Sequence, residues 1–391
     1  MNPLNPFFAV IVYLIAFLTG FIIKSHHKIN PPKGRHETID GMRGFLALGV
    51  FIHHSSIWGQ FFQTGSWLNC LSKSNLYAQF GQTTVSLFFM ITSFLFISKL
   101  LNADEKGFNW RNFFISRIFR LVPMYFFSVW LIIISVMFMS EWQVTVGLTD
   151  FLKSIINWFL FTIYEVPDIN NIAFTSIVNF GVQWSLYYEW LFYFSLPLIS
   201  IVILKIKPKI GYIILSVIFI IVFYKIHGIV VYYIYSFIGG AIAAVLLKFT
   251  FLYKKIKDIY SSIIILGCLF LIIQFNTAYN IYCQVLITII FILIALGATL
   301  FGLLKNSTLK FLGEISYSTY ILHAILLFAV FRFGFGLDRM KHFTLLEYCL
   351  VIFSITPVVI LISFLGFKYI EKPSMDKAKT IIRKWDAGSV S

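Results

Sequence analysis

Few ionisable side chains fall inside the long apolar runs of this 391-residue sequence, and those few are where chemistry could reside. His53, His54 and His323 lie within such runs, and Glu189 is the one carboxylate well inside a run. At membrane depth each would cost on the order of 2.5 to 3.5 kcal/mol or more, so each needs a partner or a function. Asp40, Arg43, Glu314 and Glu371 stand at run ends, where headgroups and water lower that cost.

The first constellation is Ile39-Asp40-Gly41-Met42-Arg43, followed by an apolar stretch that reaches His53-His54. Arg43 and His54 are eleven residues apart. At about 100° and 1.5 Å per residue they share one helical face and differ in depth by roughly 16 Å, while His53 points about 100° away. A fixed cation at the interface with a titratable imidazole beneath it suits acyl-coenzyme A, whose phosphates an arginine can grip while the thioester reaches a base. The same spacing fits an interfacial anchor and an interhelical hydrogen bond.

Three further groups have similar ambiguity. Arg117 and Arg120 stand three apart, able to hold phosphate from two sides or to anchor a helix end. In Trp184-Ser185-Leu186-Tyr187-Tyr188-Glu189, Trp184 fits an aromatic belt and Glu189 lies about five residues, or roughly 7 Å, deeper. With Ser185 it could line a cavity, bind sugar hydroxyls or steer a histidine; it could equally pair with a polar group of another helix. Ser316, Tyr320 and His323 follow i, i+4, i+7 spacing and form a polar stripe that must line a cavity or meet another helix.

Long apolar helices must carry these residues. The sequence is 59% hydrophobic and 12% charged, with a mean hydropathy of +0.86, far from the balance of soluble domains. Lipid offers no partner to unpaired backbone groups, and nothing alternates like barrel strands, so the expected fold is all-α, a polytopic membrane bundle. About eleven spans are expected: 7–23, 40–58, 83–101, 120–139, 185–204, 211–225, 230–247, 259–275, 281–304, 311–335 and 347–369. The first has no basic region before it, unlike a signal peptide, and reads as a retained helix. Segment 151–164 is short, holds Lys153, and reads as interfacial or re-entrant within an external stretch, 140–183.

A formal net charge of +15 raises nucleic acid as a partner, but the placement of Lys and Arg argues for membrane topology instead. They gather in alternate loops, at 24–35, 99–120, 205–209, 248–257, 305–310 and from 368 onward. The positive-inside rule puts those loops in the cytoplasm, the N-terminus outside and the C-terminus inside. Lipid, not nucleic acid, is the expected surrounding. Four cysteines are too few and scattered for a disulfide framework, with Cys268, Cys283 and Cys349 in apolar runs and Cys70 in a loop. No metal site and no permanently bound cofactor are expected.

Taken in order, the motifs resemble the acyltransferase-3 family of integral membrane proteins, which includes bacterial O-antigen, capsule and peptidoglycan O-acetyltransferases. The resemblance rests on Asp40-Gly41-Met42-Arg43-Gly44 through His54, Phe88-Phe89 to Phe94-Leu95, Arg117-x-x-Arg120-x-x-Pro123-x-Tyr125, Trp184-Ser185-Leu186-x-x-Glu189, Gly313-x-Ile315-Ser316-Tyr317-Ser318-x-Tyr320 with His323, and Ile370-Glu371-Lys372-Pro373. It runs from about Ile39 to Pro373 and implies a ten-helix core, with 1–38 an added helix and basic loop and 374–391 a cytoplasmic tail. Where the family commonly has Ser-Gly after Phe-Phe-x-x, this sequence has Thr92-Ser93.

The resemblance implies transfer of an acyl group from cytoplasmic acetyl-coenzyme A, or another acyl-coenzyme A, to a sugar hydroxyl of a surface or lipid-linked glycan at a bacterial inner membrane. It carries over His54 as the catalytic histidine, Glu189 as a second site residue, and Arg43, Arg117 and Arg120 as donor-binding residues. Trp184, Ser185, Tyr320 and His323 are expected to line the cavity or meet the acceptor. A glycan or lipid transporter is the rival reading, though no paired, Gly/Pro-interrupted repeat halves are visible.

Overall fold

A computed structural model describes residues 5–31, 36–64, 74–103, 108–204, 208–248 and 258–388. Cys70, and Arg35, Lys205 and Lys257 of the basic loops, lie outside the described residues. Every regular element among the described residues is helical. In chain order these are α1 (Pro6–His26), α2 (Glu37–Thr64), α3 (Asn75–Leu101), α4 (Trp110–Met139), α5 (Leu148–Phe159), α6 (Trp184–Leu204), α7 (Ile210–His227), α8 (Val231–Lys248), α9 (Asp258–Ile273), α10 (Ile281–Ala295), α11 (Ser307–Glu314), α12 (Ser316–Ala329), α13 (Leu337–Met340), α14 (Leu345–Gly366) and α15 (Lys372–Gly388).

Eight helical stretches among the described residues are long and apolar enough to cross a membrane, and α9 and α10 are shorter apolar helices. With the 28-residue α2, they account for the eleven segments read from the sequence. The chain is a multi-pass helical membrane protein. On α1 the large side chains Phe7, Val10, Leu14, Leu18 and Phe21 are exposed at three- and four-residue spacing, whereas Phe8, Val12 and Ala16 are buried. One face of the helix is thus made for lipid and the other for protein.

Asparagines start several of these helices. Asn5, Asn109, Asn280 and Asn306 accept hydrogen bonds from the backbone N–H groups of Phe7, Asn112, Cys283 and Thr308. Each cap satisfies a donor that the first helical turn leaves without an internal partner.

The chain forms two compact units. The first comprises Met1–Asn102, Val230–Tyr320 and Val330–Leu361. In it α2 packs against α3 and α11, α3 against α8, α8 against α10, and α1 against α11. Glycines permit the tightest of these approaches. A Cβ at Gly240 of α8 would run into the Met90 carbonyl oxygen of α3. Ser93, where the family commonly has glycine, is fully buried three residues further along α3.

The second unit comprises Ala103–Ile229, Ile321–Ala329 and Ile362–Ser391. Here α6 packs on α7, and α4 packs on both α5 and α15. α5 is amphipathic: Leu148, Leu152 and Ile156 are exposed at four-residue spacing, and Trp158 is buried with its indole N–H donating to the Pro167 carbonyl at 2.9 Å. Its 12 residues are too few to span a bilayer.

Several boundaries differ from the sequence reading. α4 begins at Trp110 instead of 120, because the aromatic residues among the polar ones find partners: Trp110 and Phe114 lie against Tyr212, and Phe113 meets Tyr193 edge to face. α10 stops at Ala295, not 304. Gly297, Leu300, Phe301 and Gly302 adopt positive φ in the turn that follows. The Asp258 carboxylate holds this turn, accepting from the Thr299 amide at 2.6 Å and its hydroxyl at 2.7 Å. The expected 311–335 helix is broken at Ile315 and ends in a π-helical turn, Val330–Phe335. Residues 374–388 of the expected tail 374–391 lie in α15.

Candidate active site

Arg43 and His54 both lie on α2, which runs unbroken between them. The helix therefore preserves the one-face alignment and the separation of about 16 Å along the axis. Arg43 is half-buried and His54 is 9% exposed. The end of α2 that bears Arg43 is held by direct backbone packing. A Cβ at Gly41 would strike the Leu304 carbonyl, one at Gly44 would lie 2.7 Å from the Leu309 carbonyl oxygen, and one at Gly313 would strike the Asp40 carbonyl. Thr38 donates to the Ile294 carbonyl at 2.8 Å, and Lys310 pairs with Glu37 at 3.5 Å. The glycines of the Asp-Gly-Met-Arg-Gly motif thus set where the arginine stands.

His53 has a different environment. Its Nδ1 lies 2.7 Å from the Tyr77 carbonyl oxygen on α3, and its ring occupies the space that a side chain at position 81 would need. Gly81 makes that room. The His53 and His54 rings are tilted at 46° to each other, with centroids 5.2 Å apart.

The second unit carries Arg117, Arg120 and Glu189. Both arginines lie inside α4, seven and ten residues from its first residue, and not at its boundary. The Arg117 guanidinium donates to Ser116 Oγ at 2.8 Å. Glu189, half-buried on α6, accepts a short hydrogen bond from the Tyr193 hydroxyl, and that hydroxyl also lies within hydrogen-bonding reach of Arg117. Arg117 and Glu189, read as separate motifs, are joined through Tyr193. Its position four residues after Glu189 was the available signal, since i, i+4 side chains meet on a helix.

Arg120 has other partners. Its Nη2 lies 3.1 Å from Glu371, whose side chain is fully buried, and its Nη1 lies 3.0 Å from the Met375 sulfur. Further along the same helix pair, Asp386 accepts from Asn112 at 3.0 Å and pairs with Arg111 at 3.3 Å, and Arg111 stands over the Trp385 ring. α15 therefore lies antiparallel along the first half of α4. The two arginines of Arg117-x-x-Arg120 do not converge on one point: Arg117 serves the Tyr193–Glu189 group and Arg120 serves Glu371.

The remaining candidates are distributed. Ser185 donates to the Val182 carbonyl at 3.2 Å within its own turn, and Trp184 packs edge to face on Tyr188. Tyr320 lies in the first unit, edge to face with Phe88 and near Tyr279, which stands beside Tyr233. His323 is fully buried in the second unit. Among the described residues no three His, Cys, Asp or Glu side chains gather as a metal site would require.

An acyltransferase domain model of the acyltransferase-3 type matches residues 36–365. The chain belongs to the acyltransferase-3 family. The match starts beside α2 and ends within α14, so that it takes in Arg43, His54, Arg117, Arg120, Glu189, Tyr320 and His323, while α15 lies beyond it. No curated protein and no solved structure matches the chain. Membership makes this protein a membrane acyltransferase, and the alignment of Arg43 and His54 on α2 is the feature of the acyltransferase to which a mechanism can be attached.

Proposed function

We propose that this acyltransferase moves an acyl group, most simply acetyl, from acyl-coenzyme A on the cytoplasmic side of a bacterial inner membrane to a sugar hydroxyl of a surface or lipid-linked glycan. The observation that carries the proposal is α2: one rigid helix, pinned at its Arg43 end, with an arginine and a buried imidazole on one face. Arg43 offers a planar, permanently charged fork to donor phosphate. His54 offers a base at the depth to which a thioester on a long arm would reach.

In the reaction His54 takes the proton of the acceptor hydroxyl as its oxygen attacks the thioester carbonyl. The tetrahedral adduct collapses, the carbon–sulfur bond breaks, and the proton passes to the departing coenzyme A thiolate. Transfer through a transient acyl intermediate uses the same residues in two steps. The family resemblance also offers Arg117, which donates to Ser116 Oγ, as a donor-binding residue. The basic loops define the cytoplasmic side, with residues 39–373 as the acyltransferase domain, 1–38 as an added helix and loop, and 374–391 as a cytoplasmic appendage. α5 lies at the outer interface with its exposed leucines in lipid.

Purified protein in lipid nanodiscs, supplied with acetyl-coenzyme A and a glycan acceptor, is expected to release coenzyme A thiol and yield glycan heavier by one acetyl group. Thiol release without glycan modification would reject the acceptor. Translocation of the glycan without thioester consumption would favour the transporter reading.

A further inference from the structure

Tyr193 was singled out by no motif, yet it occupies the junction between two of the candidate site residues. It is 1% exposed. Its ring meets Phe113 of α4 edge to face, with centroids 5.6 Å apart at 83°, and Trp190 of α6, with centroids 5.7 Å apart at 90°. Phe113 and Arg117 are four residues apart on α4, so they stand one turn above the other on the same face. The Tyr193 ring therefore rests on Phe113 while its hydroxyl comes to Arg117. Tyr193 and Glu189 are likewise four apart on α6, and the hydroxyl donates its proton to Glu189 Oε1.

A phenol placed this way fills both roles of its oxygen. It donates to a carboxylate and accepts from a guanidinium, and both bonds are charge-assisted in a buried setting. Arginine has a long side chain with about 2 kcal/mol of rotamer entropy, so a fixed acceptor for one N–H determines where the remaining donors point. Ser116 fixes another of them. A packed aromatic ring is a suitable mount for such an acceptor, because the hydroxyl cannot move without the ring leaving Phe113 and Trp190.

We infer that Tyr193 is a positioning residue of the acyltransferase: its hydroxyl, itself oriented by Glu189, holds the Arg117 guanidinium in the pose that receives the anionic part of the acyl-coenzyme A donor. The inference rests on the proposed donor and assigns Glu189 an action on the donor side, through Tyr193. Tyr193 touches no reacting atom. Its effect reaches the substrate only through Arg117.

Coenzyme A binding to the full-length protein in nanodiscs, measured by calorimetry, is the direct test. Tyr193→Phe retains the ring and its packing and removes one oxygen, so its melting temperature should stay within a few degrees of the parent. Its Kd for coenzyme A should rise about tenfold, as for loss of a hydrogen bond to a charged group. With a glycan acceptor, the KM for acetyl-coenzyme A should rise by a similar factor while the KM for the acceptor stays within about twofold of the parent. In an Arg117→Ala background the same change should have no further effect on Kd, since a residue that acts through another is silent once that other is gone. An unchanged Kd in Tyr193→Phe, or an effect of equal size in both backgrounds, overturns the inference and leaves the proposed reaction standing. Failure of the unaltered protein to bind coenzyme A at all overturns the proposed donor and the inference together.

Discussion

At the residue scale, adjacent histidines carry opposite expectations. His54 shares the face of Arg43, while His53 is committed to the Tyr77 carbonyl and to the hollow left by Gly81. His54→Ala should lower acyl transfer by about 10² to 10⁴, as for loss of a positioned general base, with coenzyme A binding retained. His53→Ala should lower the melting temperature, since it removes a packed ring, yet leave turnover per folded molecule within a few-fold of the parent. Measured turnover of folded, quantified protein checks both; an essential His53 beside a dispensable His54 would mean that the chemistry is on the other face of α2. The arginines can be separated in the same way. Arg120→Ala leaves the fully buried Glu371 without its cation, and truncating one member of a buried pair costs about 3 to 5 kcal/mol. Thermal melting should therefore show Arg120→Ala to be much less stable than Arg117→Ala, and the Arg120→Ala/Glu371→Gln double variant to recover part of the loss.

At the scale of elements, the argument concerns how α2 is held. Gly41, Gly44 and Gly313 let α2 and the 304–313 segment meet backbone to backbone, and a single methyl group at Gly41 must displace the Leu304 carbonyl. Gly41→Ala should cost about 1 to 3 kcal/mol as overpacking. It should also raise the donor KM, because Arg43 stands only two residues away on the displaced turn. Gly267, in α9, offers the control: a Cβ there meets nothing within 4 Å. Gly267→Ala should be neutral or stabilising by roughly 0.5 to 1 kcal/mol, as expected of a helical glycine with open space beside it. Melting curves of the two variants in the same detergent check the contrast; equal effects would show that α2 is not seated on the 304–313 segment.

For the molecule as a whole the testable quantity is sidedness. Alternate clustering of Lys and Arg expects a reporter fused after Ser391 to be cytoplasmic and one inserted between Asp150 and Asp168 to be external. Reporter activity on each side checks the two positions. An external C-terminus would place Arg43 and Arg117 away from cytoplasmic donor and would remove the basis of the proposed reaction.

Much of this architecture was legible before any coordinates, because membrane spans are set by local composition. About 20 apolar residues must become a helix in lipid, whatever their neighbours, and so the eleven segments, the helical class and the Arg43–His54 alignment followed from counting along one chain. The order of motifs likewise identified the family that the domain match then established. What counting could not reach was decided between segments distant in sequence. The start of α4 at Trp110 depends on Tyr212 and Tyr193, and the end of α10 depends on the Asp258 carboxylate. The partner of Arg120 is 251 residues away at Glu371. The bridge from Arg117 to Glu189 requires α4 and α6 to lie side by side with Phe113 beneath the Tyr193 ring. Periodicity says which face of a helix a side chain occupies; only the packing of helices says which side chain it meets there, because a guanidinium or carboxylate at that depth needs a partner that no local pattern specifies.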